Sequence, residues 1–382
     1  MEIGRSELIR LTAGKGVANT ALRWLPFFLP TLAVAFRSST PTLAVLLGLA
    51  EASGLATLFA GRWLDSGRER LVIIVSLVAV SVGSLVALQG SVWAFAVMAV
   101  LLGVASGYVT VGGHAWISAR VPFDRRARFI GVFEISWASA LLIGAPLVAI
   151  LISLFGWRGP FVAVAVAALV AGFGVWTIDD GEQSHSEEPK LVKKVPLTLD
   201  AWIIVVIAAT VAITGLSTIV VAGTWLDEVL GVSTGGVGLV AMSFGLAELT
   251  ASSSSAAFAD RLGKRRTVQG AALATMVGLA VIAVTGTSLL IGALGLLIFF
   301  VGFEYSIVTS FSLVSEAMPE ARGRTIGISS AISTLARGIG VAIAGFLYES
   351  FGIHGPVVLS SAAIAVAFLL LAVIARRRPE LA

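Results

Sequence analysis

The stretch Gly61-Arg62-Trp63-Leu64-Asp65-Ser66-Gly67-Arg68-Glu69-Arg70 organises this chain, because it returns in altered form as Ala256-Ala257-Phe258-Ala259-Asp260-Arg261-Leu262-Gly263-Lys264-Arg265-Arg266. Each copy sets a small residue, an aspartate, a glycine and a cluster of cations between two apolar runs. The likeness spreads outward from both copies. Pro122 with Arg125, Arg126, Arg128 and Gly131 answers to Pro319 with Arg322, Arg324 and Gly327, and Gly48-Leu49-Ala50-Glu51 returns as Gly245-Leu246-Ala247-Glu248. Self-similarity at half the chain length points to two copies of one structural unit.

The material around these loops is greasy. The chain is 57% hydrophobic and 13% charged, with a mean hydropathy of +0.98, well outside the range of soluble domains. Apolar runs recur that are long enough for a helix to cross the hydrocarbon layer, which takes about twenty residues. Helices are required, because backbone groups in lipid must find their partners within their own segment. The spans are expected at 17–36, 43–63, 71–88, 92–117, 129–153 and 160–178, and again at 200–221, 236–258, 268–286, 288–315, 325–348 and 356–375. The fold expected is therefore all-α and integral to the membrane, with twelve transmembrane helices in two pseudo-symmetric six-helix bundles. Residues 1–178 form the first bundle and 200–382 the second, and the polar segment 179–199 joins them as a cytoplasmic linker.

Charge placement orients the chain. Of its 26 lysines and arginines, only Arg37 and Arg158 fall in loops on one side, Arg23 and Arg337 fall within spans, and the other 22 lie on the opposite side with both termini. Cations favour the cytoplasmic side, so both termini are expected there, which also requires an even number of spans. No signal peptide is read at the N-terminus, where Arg5, Arg10 and Lys15 precede the first span. The basic balance is spread over short loops and forms no basic face, so no nucleic-acid partner is expected. The chain has no cysteine, which removes thiolate metal sites and cysteine nucleophiles. His114, His185 and His354 lack metal-ligand spacing, and no glycine-rich phosphate loop ends in Lys-Ser or Lys-Thr. No metal, cofactor or enzymatic activity is expected.

With two copies of the aspartate-glycine-cation loop, each after the second span of a six-span half, the chain resembles the major facilitator superfamily over nearly its whole length. Phe155-Gly156-Trp157-Arg158-Gly159-Pro160-Phe161 is similar to a stretch of bacterial members. Asp65 and Asp260 can cap the helices that follow and draw in Arg68 and Lys264, giving a latch that opens and closes as the halves rock. Arg126 and Arg322, in the loops after the fourth spans, join this gating group. The resemblance implies alternating access and a bacterial inner-membrane location, which the Arg-, Ala-, Val- and Gly-rich composition also suits.

Ionisable side chains inside spans are functional candidates by default, because each is costly in lipid unless paired, protonated or wet. Glu51 and Arg337 both fall about 20 Å from the cytoplasmic edge, and the implied fold brings spans 2 and 11 together, so an ion pair across the interface is expected. Glu248 and Glu304 fall near the midplane on spans 8 and 10, which neighbour each other in that fold. Two carboxylates in a poorly hydrated place cannot easily both ionise, which is the requirement for proton coupling. Glu134 is a third coupling candidate. Arg23 and Glu134 fall about 9 to 14 Å from the cytoplasmic edge on spans 1 and 5, which neighbour each other in the implied fold, and Arg23 is read either as neutralised by Glu134 or as free to hold an anionic substrate group. His114 is read either as a titrating group or as a satisfied interface residue. Spans 1, 4, 7 and 10 line the central cavity in the implied fold, which adds Asn19, Trp24, Phe27, Tyr108 and Tyr305 as substrate contacts.

Four carboxylates against two arginines within spans favour protons or a cationic solute. The function expected is proton-coupled efflux of a small amphipathic or cationic organic compound. Proton-coupled uptake of a small organic solute, anionic where Arg23 holds its carboxylate, is the alternative, and a non-transporting receptor or assembly factor is a third class. Ala140-Leu141-Leu142-Ile143-Gly144-Ala145-Pro146 departs from the glycine-rich span 5 stretch of antiporters at Ala140 and Ala145. The partners expected are lipid, a small-molecule substrate and protons, with the chain acting as a monomer.

Overall fold

The computed structural model describes residues 4–64, 66–178 and 196–377. Among these residues there are helices and no strands. α1 is Arg5–Arg23, carried through a 3-10 turn at Leu25–Phe28 into Leu29–Ala35. α2 is Thr40–Ser53 with a 3-10 continuation, Gly54–Phe59. α3 is Glu69–Ala87 and α4 is Val92–Arg120. α5 is Phe123–Ser139, a π-helical turn Ala140–Gly144, and Ala145–Phe155. α6 is Arg158–Trp176. The second half repeats the plan with α7 Leu199–Glu228, α8 Thr234–Leu262, α9 Lys264–Ala283, α10 Leu289–Glu316, α11 Arg322–Phe351 and α12 His354–Arg377. Among the described residues, eleven of these are apolar and long enough to cross a membrane.

The twelfth, α1, differs from the unbroken span expected at 17–36. It starts at Arg5, and Pro26 and Pro30 interrupt it between Trp24 and Leu29, because a proline removes a backbone donor and crowds the preceding turn. The π turn in α5 has a related origin. Pro146 cannot donate into the helix, and one wider turn before it re-spaces the ladder. Serine or threonine starts α2, α4, α7 and α8, with Ser39, Ser91, Thr198 and Ser233 accepting from Thr42, Ala94, Ala201 and Gly236 backbone N–H groups.

Each half closes on itself. α1 packs on α4, α5 and α6, while α7 packs on α10, α11 and α12. On the side of the termini, Arg10 donates to Thr177 Oγ1 at 3.0 Å, tying the start of α1 to the end of α6. Arg377 pairs with Asp200 at 2.6 Å, tying α12 to the start of α7. The halves meet along α2–α11, α1–α7 and α5–α8. Small residues make this seam. A Cβ on Gly338 would lie 2.6 Å from the Gly48 carbonyl, one on Gly345 would lie 2.6 Å from Ala44 Cβ, and one on Gly238 would lie 2.7 Å from Ala149 Cβ. Gly223 admits the Phe27 backbone at the α1 break in the same way. All of these lie toward the side opposite the termini. Toward the termini, Gly131, Gly323 and Gly327 have no atom within 4 Å of a would-be Cβ. The close glycine contacts between the halves are thus concentrated toward the far side.

Candidate functional site

The buried charges lie at or beside this seam. Arg23 is the last residue of the first helical stretch of α1, and its Nη1 reaches Glu248 Oε2 on α8 at 2.9 Å, an ion pair between the halves. The side chains are 14% and 2% exposed, so neither charge has bulk water to fall back on. The same nitrogen donates to the Trp137 carbonyl at 2.6 Å, and the guanidinium lies 4.3 Å from the centre of the Trp137 ring. Helix packing fixes the approach: a Cβ on Gly245 would sit 2.9 Å from the Ala138 carbonyl, so α8 lies directly on α5 less than one turn from Glu248.

Glu304, on α10, is 5% exposed and within electrostatic reach of Glu248 and Arg23. The sequence expectation of two neighbouring carboxylates at α8 and α10 corresponds to this arrangement, with Arg23 as a third member. Glu304 itself has no ion pair or hydrogen bond among the described residues.

A second cluster lies wholly in the first half. Glu134 Oε1 on α5 is 2.6 Å from Lys15 Nζ on α1 and 2.6 Å from His114 Nε2 on α4. Lys15 is 1% exposed, Glu134 41%. This corrects the reading that Arg23 neutralises Glu134, and equally the reading of a free Arg23. Because α1 begins at Arg5, Lys15 lies at the level of Glu134, and Arg23, eight residues on, is about 12 Å deeper. Lys15 was not among the expected site residues. Its signal was legible: Lys15, Asn19 and Arg23 recur every four residues and so share one helix face.

The third pair is Arg337 Nη2 with Glu51 Oε2 at 3.1 Å, joining α11 to α2 across the seam with side chains 32% and 22% exposed. The structure brings together the two residues that depth counting paired.

Other expected contacts are placed differently. Trp24 is fully buried against Phe161, with ring centres 5.3 Å apart, and Phe27 packs edge-on against Phe244 at 5.6 Å across the seam. Neither has a face open to a solute in this conformation. Asn19 accepts from Ser106 at 3.3 Å, and Tyr108 donates to the Ala56 carbonyl at 2.8 Å. Tyr305 shares a hydrogen bond with Ser254 on α8. Arg126 turns back onto the Ser118 carbonyl at 2.7 Å, Arg68 precedes the first residue of α3, and Arg322 is exposed at the start of α11. Asp65 and the side chains of Asp260 and Lys264, the core of the expected latch, lie outside the described residues.

A helical membrane protein in two repeated halves, with ion pairs across the seam between them, has the build of a transporter that carries a small molecule through a bilayer. The chain belongs to the major facilitator superfamily, whose family model matches residues 13–214 and again 205–382, and it is a multi-pass membrane transporter, not an enzyme. It is 25% identical, over 97% of its own length and 92% of the relative's, to the uncharacterized MFS-type transporter YwfA of Bacillus subtilis (strain 168). Among solved structures it is similar to a bacterial homolog of the human lysosomal transporter Spinster in its inward-facing and occupied conformation. The TM-score is 0.79 at 16% identity, covering 98% of this chain and 97% of that one. It is also similar to a D-xylose-proton symporter, with a TM-score of 0.75 at 16% identity and 96% of each chain covered. At such identities these structures share the fold alone.

Proposed function

We propose that this chain exports a small amphipathic or cationic organic compound from the bacterial cytoplasm in exchange for protons, with Glu304 as the exchange site and the Arg23–Glu248 pair as the element that Glu304 controls. The observation that carries this reading is a mismatch of charge. Of the four carboxylates Glu51, Glu134, Glu248 and Glu304, three have a cation within ion-pair distance: Arg337, Lys15 and Arg23. Glu304 is the odd one, and it is buried. A buried carboxylate without a counter-ion is stabilised either by a proton or by a cation that arrives from elsewhere. The two occupants exclude each other, and exclusion at one site is the requirement for exchange.

With both termini cytoplasmic, as the loop charges support, a conformation held by these far-side contacts is read as the one open to the cytoplasm. There a cationic group displaces the proton from Glu304. Outside, a proton displaces the compound. In both transitions Glu304 crosses neutralised, and the Arg23–Glu248 pair re-forms whenever the far side seals. The alternative of proton-coupled uptake of an anionic solute needs a free Arg23, which is held here by Glu248 and the Trp137 carbonyl.

The test is proton release from purified, weakly buffered protein on adding a lipophilic cation such as tetraphenylphosphonium. Wild type releases protons and Glu304→Gln does not. Release of the same size from Glu304→Gln removes Glu304 from the exchange.

A further inference from the structure

We propose that the far-side face of the first half carries a binding site for a singly charged phosphate ester, formed by Arg37 and Arg158. The site is a cavity of about 1020 Å³ bounded by the loops after α1, α3 and α5 and reaching the end of α7. That volume suits a headgroup-sized or larger organic ligand. Arg37 and Arg158 are the only two cations in the far-side loops, and both line this one cavity. Both are exposed, and neither has an ion pair or hydrogen bond from its side chain among the described residues. A guanidinium presents a planar fork of donors that matches a phosphate, and two forks on one cavity provide for one phosphate group.

The cup beneath them is built and not incidental. The Trp157 ring lies 5.3 Å from Phe36 and 6.2 Å from Phe161, and Gly90, at φ 66, is tight against it: a Cβ there would meet the ring at 3.3 Å. Arg158 stacks on Trp157 at 4.4 Å, which orients its guanidinium. Arg37 sits at φ 52, the one non-glycine with positive φ among the described residues, in a place where helix ends commonly use glycine. An arginine is held there against the preference of L side chains for negative φ.

Two observations narrow the ligand. Asp227 of α7 lines the same cavity and leaves a net charge of one positive unit, which favours a monoanionic diester over a dianion. Val34, in the lining, is 83% exposed, and Leu154 and Phe155, which precede the lining residue Gly156 in the chain, are each 68% exposed, so exposed apolar surface adjoins the cavity. A phospholipid headgroup, its chains lying on that surface, fits both. A soluble phosphate ester shares the headgroup chemistry. Since Asp227 belongs to the second half and the arginines to the first, the ligand lies against both halves.

The experiment uses the full chain in phosphatidylcholine nanodiscs, exchanged with vesicles of phosphatidylcholine and phosphatidylglycerol, and counts retained phosphatidylglycerol by native mass spectrometry. A second arm titrates glycerophosphoglycerol, the deacylated headgroup and a singly charged diester, by calorimetry. The expected result is retention by wild type, at least about tenfold weaker in Arg37→Gln/Arg158→Gln and tighter in Asp227→Asn. All three substitutions are at exposed positions, and monodispersity confirms folding. Glycerophosphoglycerol binding with the same order of variants, and no lipid retention, keeps the site and makes the ligand a solute. Binding of neither probe, or equal binding by the wild type and the double variant, overturns the proposal.

Discussion

The Lys15–Glu134–His114 cluster and the Arg23–Glu248 pair start from the same helix, two turns apart, yet they are different kinds of object. The first joins α1, α4 and α5, all within one half, so nothing in it has to part when the halves rock. The second joins α1 to α8, and in any conformation that opens the far side these two groups must separate or be screened. The distances are similar, 2.6 Å and 2.9 Å. Position relative to the seam, and not strength, sets whether a buried ion pair stabilises a half or couples two halves.

The largest effect is expected at Arg23. Arg23→Gln leaves Glu248 charged and almost wholly buried, a loss of about 3–5 kcal/mol, and should lower thermal stability in detergent and abolish transport. Adding Glu248→Gln should restore the stability and leave transport absent, because the fold needs only neutrality whereas the cycle needs the charges. A double variant that transports normally would make the pair as structural as the Lys15 cluster.

Next is the glycine seal. Gly338→Val places a side chain against the Gly48 carbonyl and should shift the protein toward far-side opening at a cost of about 1–3 kcal/mol. Because the chain has no cysteine, a single Ala44→Cys, buried in the seal, reports this directly: an impermeant maleimide should label it faster in the Gly338→Val background. Equal rates would mean that this contact does not hold the far side shut.

The Glu51–Arg337 pair spans the seam as well but is partly exposed, so breaking it should cost about 1 kcal/mol or less. Arg337→Gln should bias the labelling rate in the same direction, more weakly, with the exchanged pair Glu51→Arg/Arg337→Glu returning it toward wild type. The smallest effect on coupling is expected from Lys15→Met/Glu134→Gln. This variant should transport with an unchanged response to a pH gradient, and loss of that response would move the exchange site into the first half.

How much of this was legible in the sequence follows from how local each signal is. The twelve apolar runs and the repeat at Asp65 and Asp260 are local patterns, and they suffice for the family and the fold. The Glu51–Arg337 pair could be found by counting depth from the loops, because α2 and α11 have well-marked ends and the family resemblance implied that these two spans meet. The same counting misplaced Arg23. The start of α1 is polar, with Arg5, Glu7, Arg10 and Lys15, so hydropathy set the start of the span twelve residues late and put Arg23 too shallow. Nor does hydropathy register the break at Pro26 and Pro30 or the π turn before Pro146, which bring α1 and α5 to α8. That Trp24 and Phe27 pack into the protein was equally out of reach, since aromatics at helical spacing serve lining and packing alike.

The uncompensated carboxylate of Glu304 is proposed to tie solute movement to proton movement. This coupling is tested most directly in proteoliposomes loaded with tetraphenylphosphonium, comparing wild type and Glu304→Gln for exchange at equal pH and for net movement under an imposed pH gradient. The gradient should drive net movement in wild type, and Glu304→Gln should lose this response. Gradient-driven accumulation by Glu304→Gln equal to that of wild type would contradict it.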